Sequence, residues 1–161
     1  MGEHAEDPRF AAFYGLLVTE WRLGEKLDQE LEATAGISLN FLELLIHLQW
    51  TDGRKRMSEL AELLLLSRGG ATRLVARMEQ EGLVEREIPK DDRRATYARI
   101  TGKGLKAFEE AMPLHLTAVE ETFSRFITDD QAEAMREAHA RVLLGIGMEC
   151  APVTDAYLEP Q

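Results

Sequence analysis

The 161 residues, 45% hydrophobic and 30% charged, suffice for one compact domain or for one domain with an added helical module shared with a partner, and they exclude a wholly disordered chain. The formal net charge of −10 opposes phosphate binding by the chain as a whole, but the charge is unevenly spread. Positions 53–106 carry 13 Lys and Arg against 8 Asp and Glu, a net +5, while the remainder carries −15. A local basic field between acidic flanks is compatible with DNA binding, and the flanks favour solubility. No run approaches the roughly 18 apolar residues of a membrane span. The start, MGEHAEDPRF, has neither a basic nor an apolar signal region, so a cytoplasmic location is expected.

Asp7 followed by Pro8 predicts a helix start, and Phe10, Phe13, Tyr14, Leu17, Trp21, Leu27 and Leu31 recur mostly at three- and four-residue steps as far as Ala35. Gly36 ends that helix. Ser38 caps a second, Leu39 to Trp50, whose apolar residues cover more than one face and place it at the centre of a core. After the turn Thr51-Asp52-Gly53, Ser58 is expected to cap a short third helix from Glu59 to Leu64. A fourth follows from Ser67 to Glu81, with Leu74, Val75 and Met78 as its apolar stripe and Gly82 as its stop, and together the two make a helix-turn-helix.

Leu83–Ile88 and Ala95–Ile100 are expected as two strands joined by the charged segment Pro89 to Arg94, the wing of a winged helix. Thr101 caps a long fifth helix in which Leu105, Phe108, Met112, Leu116, Val119, Phe123 and Phe126 approach a heptad seam that wants a partner. Pro113 is expected to kink or break it. Thr128 caps a last helix, Gln131 to Ile146. The fold class is mainly α with a small β-hairpin wing: a winged helix-turn-helix over 36–101, flanked by helical dimerisation regions at 1–35 and 102–147, with 148–161 as a flexible tail.

The exposed start of the fourth helix combines Ser67, Arg68, Thr72 and Arg73, whose hydroxyl and guanidinium donors suit phosphates and base edges in a major groove. Gly69 and Gly70 cost helix propensity there. They either let the backbone approach DNA closely or make the helix start flexible. Arg77, four residues after Arg73, is placed for a phosphate or for a salt bridge to Glu81. No nucleophile triad, carboxylate pair or phosphate loop supports an enzyme. His4, His47, His115 and His139 form no metal-ligand spacing, and the single Cys150 cannot form an internal disulfide.

Met57 to Ala61, Ser67 to Glu79, Gly82-Leu83-Val84, Asp91-Asp92-Arg93-Arg94-Ala95 and Ile100-Thr101-Gly102-Lys103-Gly104 resemble the MarR family of bacterial regulators, with the resemblance reaching from Phe10 to Leu144. It implies a repressor that binds double-stranded DNA as a homodimer at a pseudo-palindromic operator, with half-sites about one helical turn, ~10 bp, apart. It assigns a minor-groove contact to Arg94, bracing of the loop to Asp92, and backbone contacts to Arg93 or Lys90; the same residues read without it form a solvated charged turn. It also implies a small aromatic or anionic effector lined by Tyr14, Trp21, His47, Trp50, Met112 and His115, with no other cofactor and no metal. Without the resemblance, the aromatic residues read as core and His115 as a buried ring satisfied by protein. A winged-helix protein-interaction module that does not bind DNA is the alternative from another functional class.

Overall fold

Side-chain acceptors set where most of the helices begin. In the computed structural model, which describes residues 7–89 and 95–148, Asp7 Oδ1 accepts the N–H of Arg9 at 2.9 Å and Pro8 opens α1 (Pro8–Ala35). Gly36 closes α1 at φ +70°. Ser38 Oγ accepts from Phe41 to start α2 (Leu39–Gln49), while Asp28 of α1 takes the N–H of Leu39 at 2.6 Å and so ties the two helices together. Ser67 Oγ accepts from Gly70 at 3.1 Å to start α4 (Arg68–Gln80), and Thr128 with Gln131 forms a reciprocal capping box at α6 (Asp129–Gly145).

The helix before the turn departs from expectation. It is α3 (Met57–Leu63), which begins before Ser58 with no side-chain cap. The N–H of Met57, the first of the helix, is taken by the carbonyl of Thr96 at 2.9 Å, so the residue just before a neighbouring strand closes the start of α3 two residues ahead of the expected one.

That neighbour belongs to a three-stranded antiparallel sheet in the order β1 (Arg54–Arg56), β3 (Tyr97–Ile100), β2 (Val84–Glu87). β1 is an addition to the expected hairpin, and it has no apolar alternation that would announce it. Side chains bind it across the sheet. Glu87 accepts from Arg54 Nη1 at 3.2 Å and from Arg99 Nε at 2.8 Å, bridging both outer strands to the central one, and the Arg54 and Arg56 guanidiniums lie 5.2 and 5.5 Å from the Tyr97 ring centre.

The chain divides into two compact units between Val119 and Glu120. In the first, the core is built on α2, whose Leu42, Leu44, Leu45, Ile46 and Leu48 are buried together with Leu31, Leu60, Val75, Met78 and Ala98. The N-terminal stripe of α1 behaves differently: Phe10, Phe13, Tyr14, Leu17 and Trp21 are exposed although Leu31 is buried.

α5 (Gly102–Thr122) runs without a break through Pro113, contrary to the expected interruption. Proline removes only one helical N–H, and the helix continues on either side of it. The helix also ends earlier than the apolar seam suggests. Phe123 leaves helical geometry at φ −134°, and a 3-10 turn, Ser124–Phe126, follows. The described part of the second unit comprises the end of α5, this turn, α6 and the residues that follow it to Met148.

The start of α5 is locked to the end of α4. The Leu83 carbonyl accepts the N–H of Thr101 at 3.1 Å. The Thr101 hydroxyl donates to the Gly82 and Leu83 carbonyls at 2.7 and 3.1 Å, and it caps α5 by accepting from Gly104 at 3.0 Å. Lys103 Nζ donates to the Glu81 carbonyl at 2.6 Å. Gly104 is obligatory here, since a Cβ on it would lie 2.0 Å from the Leu83 oxygen. We expect Gly104→Ala to lower the unfolding free energy by about 1–3 kcal/mol in urea titrations; an unchanged midpoint would contradict this contact.

The turn between α3 and α4 holds a leucine in the left-handed region, Leu65 at φ +52°, with its side chain 81% exposed. That conformation costs roughly 1–2 kcal/mol for a residue with a Cβ, against roughly 0.5–1 kcal/mol for the added freedom of glycine. Leu65→Gly is therefore expected to raise stability by up to about 1 kcal/mol in the same assay. A clear loss would show that the side chain makes a stabilising contact.

Candidate nucleic-acid interface

α4 is amphipathic. Ala71, Leu74, Val75 and Met78 are buried, while Ser67, Arg68, Gly69, Thr72, Arg73 and Arg77 are exposed and Gly70 is half-buried. The residues singled out at the start of the helix therefore lie together on its solvent side. The Thr72 hydroxyl donates back to the Arg68 carbonyl at 2.8 Å, which leaves its lone pairs outward as acceptors.

The partners of the arginines separate structural from available cations. Arg54 and Arg99 are engaged by Glu87, and Arg56 donates to the Tyr97 hydroxyl at 2.8 Å. Arg86 binds Glu79 at 3.2 Å and donates to the Thr72 carbonyl at 3.0 Å, joining β2 to α4. Arg77 lies 5.1 Å from the Phe41 ring centre, and no ion pair to Glu81 forms. Among the described residues, Arg68 and Arg73 are the arginines without a hydrogen bond, ion pair or ring partner. Both project from the exposed face of α4.

β2 and β3 lead toward the tip of the wing, where Ile88 is already exposed. Lys90, Asp92, Arg93 and Arg94 lie outside the described residues, as do His4 and Cys150. Sequence reasoning did not single out Glu79, Arg86 or Glu87. An arginine and two glutamates in and beside a strand carry no spacing signal, and their role becomes visible only when α4 and the sheet are brought together.

The six residues associated with an effector are spread over three helices. Tyr14 and Trp21 are exposed on α1. His47 and Trp50 meet edge to face with ring centres 6.3 Å apart, and Met112 and His115 on α5 are half-buried. His115 Nδ1 is buried without a hydrogen-bond partner, and burial holds its pKa below the ordinary histidine value. Burial, and then the charge of Lys55, lower that of His47. Among the described residues no three His, Cys, Asp or Glu side chains converge as metal ligands.

Residues 35–95 match the model of the MarR family. The chain is 32% identical over 101 residues to the HTH-type transcriptional regulator MhqR of Bacillus subtilis, a match that covers 63% of this chain and 66% of that protein. The matches span between 56% and 66% of the lengths of three curated relatives.

Among solved structures, AbsC of Streptomyces coelicolor, a MarR family transcriptional regulator, superposes with a TM-score of 0.80 at 27% identity, covering 87% of this chain and 95% of that one. Sco3205 of the same organism, a family member solved in complex with DNA, superposes at 0.79 with 28% identity over 84% and 85% of the two chains. With the core built on α2, the helix-turn-helix of α3 and α4, the three-stranded wing and these likenesses in agreement, the chain belongs to the MarR family.

Proposed function

We propose that this chain is a transcriptional repressor that binds double-stranded DNA and is released by a small aromatic or anionic effector. The observation that carries the reading is the pair of uncommitted guanidiniums, Arg68 and Arg73, on the exposed face of a helix whose other face is anchored in the core. Exposed arginines on such a helix supply phosphate neutralisation and base-edge donors in a major groove. Ser67, Gly69, Gly70, Thr72 and Arg77 border them, and the wing, through Arg94 with Asp92, Arg93 and Lys90, takes the adjacent minor groove. The protein-interaction alternative gains no comparable support, since the basic side chains on α4 are not neutralised by acidic neighbours among the described residues.

The working unit is a homodimer on a pseudo-palindrome. The support is the exposed apolar row on α1, with Phe13 53%, Tyr14 61% and Trp21 59% exposed, a surface that a second copy would cover. In this division 1–35 and 102–147 associate, and 36–101 binds DNA. His115 is the best-supported contact for an effector, because its buried Nδ1 lacks a partner that a ligand hydroxyl or carboxyl group would supply.

Binding of the full chain to operator duplexes at several salt concentrations tests the DNA assignment. Arg94→Ala is expected to weaken binding and to reduce the slope of log K against log salt by about 2, one for each protomer of the dimer; unchanged affinity and slope would remove Arg94 from the interface. A second expectation concerns pH. Because the folded-state pKa of His115 is depressed, its contribution to stability is present above the unfolded value of roughly 6.5. It is lost as pH falls through the folded value. The wild type should therefore melt at a lower temperature at acid pH than at neutral pH, and His115→Leu should narrow the difference. An equal pH dependence in both proteins would show that the ring titrates freely.

A further inference from the structure

The two adjacent glycines of α4 have different surroundings. A Cβ on Gly70 would lie 3.3 Å from Ser67 Oγ and 3.5 Å from Leu66 Cβ, so that position is kept small by the cap that starts the helix. A Cβ on Gly69 would meet no backbone or core atom, and within 4 Å only Arg73 Nη1, at 3.6 Å. The Arg73 guanidinium thus lies back over the bare backbone of Gly69, one turn toward the start of the helix. Nothing in the packing of the protein demands a glycine at 69. A Cβ alone would only touch the Arg73 guanidinium, and it is the further atoms of a larger side chain that would compete with it for this place.

Arg73 is also one of the two arginines without a partner among the described residues, and it stands on the second turn of the exposed face, between Gly69 and Arg77. A guanidinium lying across a helix face, with no side chain interposed, presents its planar fork to whatever closes on that face. In a major groove the matching surface is the O6 and N7 edge of guanine, which accepts two parallel N–H bonds.

Resting on the DNA-binding reading above, we propose that Arg73 reads a guanine in each half-site and that Gly69 determines this preference, by leaving the space in which the guanidinium lies and by admitting the base edge close to the helix. A side chain branched at Cβ at position 69 occupies that space and turns Arg73 outward, where it meets phosphate and reads no base.

The test uses the full chain and a library of randomised duplexes at one fixed salt concentration. It is followed by competition between the selected duplex and one in which the enriched G·C pair is exchanged for A·T. The wild type is expected to enrich one G·C pair at symmetric positions and to disfavour the exchange by roughly 5- to 150-fold. Arg73→Ala and Gly69→Thr should each lose that discrimination while still binding both duplexes and retaining a cooperative thermal transition by circular dichroism. If Gly69→Thr lacks the transition, Gly69→Ile makes the same comparison with a better helix former that is also branched at Cβ.

The proposal is overturned if Arg73→Ala keeps the discrimination or weakens binding equally at every position, as loss of a phosphate contact would, or if the folded Gly69 variant discriminates like the wild type. A wild type that enriches no sequence would sink the DNA-binding reading itself, an outcome distinct from these.

Discussion

The Leu83 carbonyl is the point on which the placement of α4 depends. Leu83 donates its own N–H to Met78 at the end of α4, and its oxygen receives the N–H and hydroxyl of Thr101. Gly104 approaches that oxygen so closely that no side chain fits between them. One residue therefore joins the end of α4, the entry to β2 and the start of α5. Lys103 adds a charge-assisted bond to the last carbonyls of α4, where the negative end of the helix dipole favours it. With its end held by this junction, its buried stripe by the core, and its exposed side by Arg86 from β2, α4 has a fixed position relative to the strands that lead to the wing. On the proposed function, a fixed relation between α4 and these strands is what a duplex with a fixed groove geometry requires.

Charge is distributed with the same economy. The sheet and the helix-turn-helix contain many arginines, yet most are used to hold the protein together: Glu87 spans the three strands, Tyr97 lies beneath two guanidiniums, and Phe41 underlies Arg77. Two are left over on α4. The net +5 of positions 53–106 already counts the paired glutamates, and it is the partner of each guanidinium that decides which of them is free to donate to a nucleic acid.

The legible parts of the chain were those with a local signal. Asp7-Pro8, Ser38, Ser67 and Thr128 mark helix starts because a side-chain oxygen within three residues satisfies an otherwise unpaired N–H, and each does so in the structure. The exposed face of α4 follows from the same local periodicity. What was not legible depends on partners distant in sequence. Met57 rather than Glu59 begins the first helix of the helix-turn-helix, where Thr96 offers a carbonyl to its N–H. Arg54–Arg56 forms a strand because Glu87 and Tyr97 receive its side chains. Arg77 finds Phe41, on another helix, in preference to the glutamate one turn away. Pro113 does not break α5, since a single missing N–H does not outweigh the bonds on both sides of it.

The central claim is that the exposed face of α4 is the surface that meets DNA. Backbone hydrogen exchange across Ser67 to Arg73, measured on the full chain with and without a selected duplex, tests it most directly. These residues form the first two turns of α4, where the leading amides lack helical partners. The account predicts that exchange slows there, and in the strands that bear the wing, when the duplex is added. Unchanged exchange over Ser67 to Arg73 in a complex that forms, with protection confined to other helices, would contradict it.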